Sequence, residues 1–83
     1  MAEVEVGVVT DFFAKVNAAA IKLSKPLKVG DKIKFKGGEN EFEQVIDSMQ
    51  INRQPIKEAK KGDEIGILVK EKVRKDYKVF KVD

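Results

Sequence analysis

The side chains of this 83-residue chain that could do chemistry are carboxylates, lysines, two arginines and a few hydroxyls, because cysteine and histidine are both absent. Disulfides, thiol nucleophiles, imidazole bases and the usual zinc and copper ligands go with them. Glu39, Glu41 and Glu43 are spaced as oxygen ligands for a hard cation could be. Residues two apart on a strand also line one face, however, and a solvent-exposed acidic face is the simpler reading. No metal or cofactor is therefore expected. Paired carboxylates doing acid–base work would need a cleft and a raised pKa. Ser24 and Ser48 have no histidine to activate them. Gly37-Gly38 runs into Glu39, the wrong sign for cradling a phosphate, and no other glycine opens such a loop. The expectation is a protein with no catalytic residues, not an enzyme.

Lysine is the chemistry that remains. Lys and Arg total 17 against 14 Asp and Glu, a net +3 too mild to imply a polyanionic partner by itself. The distribution says more. Residues 22–37 carry six lysines against Asp31; residues 38–51 carry Glu39, Glu41, Glu43 and Asp47 with no base; residues 52–63 turn basic again. Strands from these segments could pair their charges across the ladder. Many Lys and Glu with no Cys also fit a thermophile, where surface ion pairs cost less.

These side chains have to be positioned by short segments between turn signals. Glu3-Val4-Glu5-Val6-Gly7-Val8 alternates with the period of a half-buried strand. Lys32-Ile33-Lys34-Phe35-Lys36 does the same, with Ile33 and Phe35 inward, before Gly37-Gly38 breaks it. Residues 42–51 read as one longer strand with a bulge at Val45-Ile46. Residues 65–69 are apolar on both faces and read as the most buried strand, with Gly66 marking a close backbone approach. Lys78-Val79-Phe80-Lys81-Val82 reads as the last strand. Residues 10–24 argue the other way: Asp11 could cap a helix with Phe12, Val16, Ala19 and Leu23 on one face. Leu27-Lys28-Val29-Gly30-Asp31-Lys32-Ile33 and Ala59-Lys60-Lys61-Gly62-Asp63-Glu64-Ile65 share Gly, Asp and Ile at an offset of 32, one turn chemistry used twice. No apolar run approaches the ~20 residues of a membrane helix. With no membrane segment and no leader pattern, a cytoplasmic protein is expected.

From Ser48 to Val69 the sequence resembles the second domain of translation elongation factors such as elongation factor Tu. The carrying features are Ser48-Met49-Gln50-Ile51-Asn52-Arg53-Gln54-Pro55-Ile56, the Gly62-Asp63 turn, and an apolar strand with Gly66 in second place. Phe42-Glu43-Gln44, Ser48-Met49-Gln50-Ile51 and Val73-Arg74-Lys75-Asp76 are more similar still to the small barrel that ends the collagenase-like peptidases. Stand-alone elongation-factor-like proteins are similar over the whole length. The resemblance implies that residues 1–83 form a single all-β domain, a small closed antiparallel β-barrel of about six or seven strands. It also implies a strand at residues 18–23 with Ala19, Ile21 and Leu23 inward, against the helical pattern. In the elongation factors this domain helps hold the aminoacylated end of tRNA. Gln50 falls where that family has a glutamate, and Arg53 where it has an arginine.

Two functions follow as expectations. The first is a non-catalytic RNA- or ribosome-associated module, contacting tRNA or ribosomal RNA through Lys22, Lys32, Lys34, Lys36, Gln50, Arg53, Lys57, Lys60 and Lys61, with steep salt dependence. Lys22, Lys32, Lys34 and Lys36 would share one strand face. The second is a protein-interaction module that docks on a separately encoded GTPase, peptidase-like or RNA-modification enzyme through an apolar patch around Val29, Met49 and Phe80.

Overall fold

The computed structural model describes residues 3–82 as ten strands, with no helix among the described residues. They are β1 (Glu3–Phe13), β2 (Ala18–Leu23), β3 (Leu27–Lys28), β4 (Lys32–Gly37), β5 (Asn40–Val45), β6 (Met49–Ile51), β7 (Gln54–Ile56), β8 (Glu58–Ala59), β9 (Glu64–Leu68) and β10 (Lys78–Val82). Eight form one sheet in the order β5-β4-β10-β1-β2-β9-β6-β7, and β3 pairs with β8 beside it. Every pairing is antiparallel. The ladder does not close on itself, since β5 and β7 are its two ends. What the structure establishes is an antiparallel all-β fold, with more and shorter strands than the six or seven expected.

The helical pattern of residues 10–24 yields to two strands and a turn. Asn17 sits at φ 53°, where an asparagine can reverse the chain into β2. Ala19, Ile21 and Leu23 are buried as the strand reading requires, while Val16, on the supposed helical face, is 60% exposed. On β2 the alanines serve both faces: Ala19 packs inward and Ala18 and Ala20 lie outward, half-buried.

Alternation holds on β4, where Ile33 and Phe35 are fully buried, and Phe35 stacks on its cross-strand partner Phe42 with ring centroids 5.0 Å apart. Such a pair contributes about 0.5–1.5 kcal/mol beyond the area it buries. On β1 the alternation breaks at register shifts between Glu5 and Gly7 and between Val9 and Asp11. Val6 and Val9 are therefore the buried valines, and Val4 is exposed. Residues 42–51 are not one bulged strand. They divide into β5 and β6, which lie six places apart in the sheet, with buried Ile46 at the corner. Residues 65–69 bury one face only: Ile65, Ile67 and Val69 point in, and Leu68 is 60% exposed. Gly66 makes no close approach, because a Cβ there would find its nearest neighbour at 4.0 Å. The crowded glycines are Gly7, where a Cβ would lie 2.7 Å from the Lys22 carbonyl oxygen, and Gly37, where it would lie 2.2 Å from the Tyr77 ring. Tyr77 is thus a lid on a bare stretch of backbone, and its hydroxyl accepts a hydrogen bond from Asn40 at 3.2 Å.

The two Gly-Asp turns are geometric copies. The Asp31 carboxylate accepts from the Lys28 amide at 3.0 Å, and that of Asp63 from the Lys60 amide at 2.9 Å. Gly30 and Gly62 take φ values of 97° and 93°, which a Cβ would disfavour. Each turn grips one distant residue with two backbone bonds: Gly30 N–H donates to Ile46 and Ile46 N–H to Asp31, while Gly62 N–H donates to Leu23 and Leu23 N–H to Asp63.

One end of the large sheet, β5, is tied to the end of β9 through one side chain. Buried Gln44 of β5 donates its amide N–H to the Leu68 carbonyl at 2.8 Å and accepts from the Lys70 N–H at 2.9 Å. Replacing it with leucine removes both part-buried bonds, at about 0.5–1.5 kcal/mol for each. Gln44→Leu should lower the urea unfolding midpoint accordingly; an unshifted midpoint would show the seam to be idle.

Candidate functional site

The nine residues expected to meet RNA fall into three groups. Lys32, Lys34 and Lys36 line β4, which faces the acidic strand β5. Lys22 is on β2, separated from β4 by β10 and β1, so the four lysines do not share one strand face. Gln50 lies on β6 opposite Gly66 of β9, and Arg53 is in the β6–β7 turn. Lys57 precedes β8, and Lys60 and Lys61 follow it in the second Gly-Asp turn.

Charge on β4 is largely answered within the fold. Lys32 pairs with Glu43 at 3.1 Å, and Lys34 pairs with both Glu3 and Glu41 at 2.7 Å. The Lys34 side chain is only 12% exposed, wedged between these two carboxylates. Hydrogen bonds to Glu3 and then Glu41 hold its ammonium well above the ordinary lysine range. Reciprocally, the bond from Lys34 draws the Glu41 carboxyl below its usual value. The acidic run 39–43 that could have suggested a cation site is thus the counter-charge of β4. Among the described residues, no three acidic side chains gather as metal ligands.

The expected apolar patch is not where sequence put it, because Met49 is buried in the core and Val29 and Phe80 are half-buried. Exposed apolar side chains gather instead at Phe13, Val16 and Leu68, which are 50%, 60% and 60% exposed. The ladder explains the gathering. Phe13 is opposite Ala18 and Ala18 opposite Leu68; one row along, Ala20 is opposite Gly66 and Gly66 opposite Gln50. The outward face of β2, β9 and β6 is therefore a floor of Ala18, Ala20 and Gly66 between taller walls. The β1–β2 turn forms one wall, held by a 2.8 Å bond from the Val69 N–H to the Asn17 carbonyl. Asn52 and Arg53 of the β6–β7 turn form the other. The open groove so made has a volume of about 680 Å³, inside the roughly 300–1,000 Å³ of ligand sites. Its rim is polar: Lys15, Gln50, Asn52, Arg53 and Glu64 line it. Glu64 is engaged by the Thr10 hydroxyl at 2.7 Å. A small-residue floor with an apolar wall and polar rim has the anatomy of a contact surface.

Gln50 and Arg53, expected from sequence to meet RNA, both line this groove. Phe13, Val16, Ala18 and Ala20 line it too and were not singled out as site residues. The period-two placing of Ala18 and Ala20 could have found them, had the stretch been read as a strand from its own pattern.

No family model matches the chain. An uncharacterized protease of Methanocaldococcus jannaschii is 38% identical over 79 residues, covering 94% of this chain and 19% of that protein. The chain thus spans about a fifth of the length of the curated relative it matches. Among solved structures, the C-terminal domain of a Geobacillus thermoleovorans protein named as a U32 peptidase superposes with a TM-score of 0.90 at 20% identity, covering 95% of this chain and 92% of that one. Its selenomethionine variant gives a TM-score of 0.86 at 19% identity, covering 90% and 95%. The chain has the fold of that C-terminal domain, as the resemblance to the collagenase-like peptidase barrel implied. The elongation-factor likeness rests on the residues quoted for it alone. These names also correct the expectation of a protein outside the enzymes, since the matching proteins are named as a protease and a peptidase.

The ion-paired face has a pH signature. The depressed Glu41 carboxyl contributes stability above its unfolded value of 4.5, and that contribution is lost as pH falls through the lower folded value. The raised Lys34 ammonium contributes fully below 10.5, and its part is lost only as pH rises beyond that through the folded value. Lys34→Met should therefore be less stable than the parent at neutral pH, with the gap narrowing in acid below 4.5. Thermal melts of both proteins across that range check this; a pH-independent gap would count against it.

Proposed function

We propose that the chain is a protein-interaction module of a peptidase-type enzyme, docking through the groove over β2, β9 and β6. The observation that carries this reading is a relative named as a protease that matches 94% of this chain with 19% of its own length. A segment of that size beside a much longer remainder is placed to pack against it or to present something to it. The groove supplies the means: exposed Phe13 and Val16 beside a floor with no long side chain to obstruct approach, and exposed Leu68 next to it. Removing such side chains from water favours association at roughly 25 cal/mol per Å² of apolar area. We also read the curled sheet as a barrel whose last contact is the Gln44 seam in place of a strand ladder.

Cross-linking in the source cells, with mass spectrometry of the products, tests the proposal. Lys15 on the groove rim should join to a peptidase-type polypeptide, whether a further part of the same protein or a separate one. Val16→Glu places a carboxylate in the contact and should reduce that cross-link roughly tenfold or more, since an unpaired charge is costly to bury. Cross-links from Lys15 confined to ribosomal proteins, with none to a peptidase-type protein, would overturn the reading.

A further inference from the structure

We infer that the groove is built for an extended peptide segment with an acidic side chain toward each end and small or apolar residues between. The inference rests on the docking reading above and adds the chemistry of the segment that docks.

The argument starts from charge at the two ends of the floor. Leu68 and Glu64 mark the ends of β9, four residues and about 13 Å apart at the usual rise of a strand. Phe13 and Ala18 share the Leu68 row, and Lys15 stands in the turn beyond them. Gln50 is opposite Gly66 and β6 runs antiparallel to β9, so Arg53 lies toward the Glu64 end. The groove therefore has one cation at each end and none along its floor. Among the described residues neither Lys15 nor Arg53 has an ion-pair partner, whereas Lys32, Lys34, Lys78 and Lys81 all do. Glu64, the acid on the rim, accepts from the Thr10 hydroxyl and lies opposite Lys22 on the ladder, so its charge has a cation of its own beside it. Two unanswered cations flanking an apolar floor complement two carboxylates flanking an apolar stretch.

A second observation concerns Arg53 alone. Asn52 and Arg53 have φ values of 51° and 65°, both left-handed, in a two-residue hairpin turn. Asparagine tolerates its place, and the second place is the one glycine fills at least cost. A long cation held there carries backbone strain that glycine would not. Strain of this kind marks a side chain that is kept for contact, here with the groove it lines. Length fits as well: a strand-like segment of about five residues spans the floor, with its acids at the spacing of the two cations.

The groove does not favour a nucleic acid. Two cations are few for a phosphate chain, and the floor has no aromatic platform for successive bases.

Fluorescence anisotropy with a fluorescein-labelled peptide of sequence Gly-Glu-Ala-Val-Ala-Glu-Gly, whose two glutamates lie four residues apart and on one face of an extended strand, titrated with the purified chain, tests the inference. Saturable binding is expected, weakened about tenfold by Arg53→Gly and again by Lys15→Gln, as the loss of a charge-assisted hydrogen bond implies. Arg53→Gly should leave the melting temperature unchanged or raised, which separates lost contact from lost fold. The same peptide with lysine in place of both glutamates should not bind. Equal affinity for the two peptides, no binding of the acidic one, or Arg53-dependent binding of a single-stranded RNA ending in CCA in its place would each overturn the inference. Lys15 cross-links to a peptidase-type protein that survive such a failure would leave the docking reading intact and remove only the segment's chemistry.

Discussion

The fold depends on two backbone clasps. A chain of 83 residues with no disulfide and, among the described residues, no helix must bring remote segments together by hydrogen bonds between strands and turns. Strand ladders fix neighbours but not corners. The corners are fixed where Gly30-Asp31 clasps Ile46 and Gly62-Asp63 clasps Leu23. In each, glycine frees an amide by turning left-handed, and the aspartate carboxylate occupies the amide three residues back so that the turn cannot unwind. Ile46 then ends β5 and redirects the chain toward β6. Leu23 ends β2 close to the start of β9. Without the clasps the same strands could pair in other registers, and the face that carries the groove would not be assembled.

How far this was legible in the sequence varied with the range of the cause. The β4 strand, the final strand and the turn before β9 are local: alternation or a Gly-Asp pair is enough, and the structure agrees with them. The charge blocks were legible too, because a basic strand followed through Gly37-Gly38 by an acidic one must lay lysine beside glutamate. Strand β2 was legible only through resemblance, since Ala-rich residues 18–23 satisfy a helix as well as a strand and only pairing with β1 and β9 decides. The division of residues 42–51 was not legible, because its cause is Gly30 and Asp31, remote in sequence. The groove was invisible for a similar reason. Its floor combines Ala18 and Ala20 with Gly66, three small residues that mean nothing until β2 and β9 are neighbours.

This geometry reorders the functional expectations. The lysines that made RNA attractive include the most firmly neutralised side chain described, Lys34, held by carboxylates from β1 and β5. The sole tyrosine covers Gly37 and is not a free stacking surface. What the fold leaves open is apolar and small in the middle and polar at the rim, which suits a polypeptide. The relatives' names point the same way.

The Gln44 seam has a mechanical consequence. Between most other neighbouring segments, separation means tearing a run of main-chain bonds; between β5 and the end of β9, one carboxamide must let go of two atoms. Breathing motions will concentrate along that line. They will expose the Lys70 amide first and act on the side where β9 carries Leu68, so that flexing there is coupled to the shape of the surface offered to a partner.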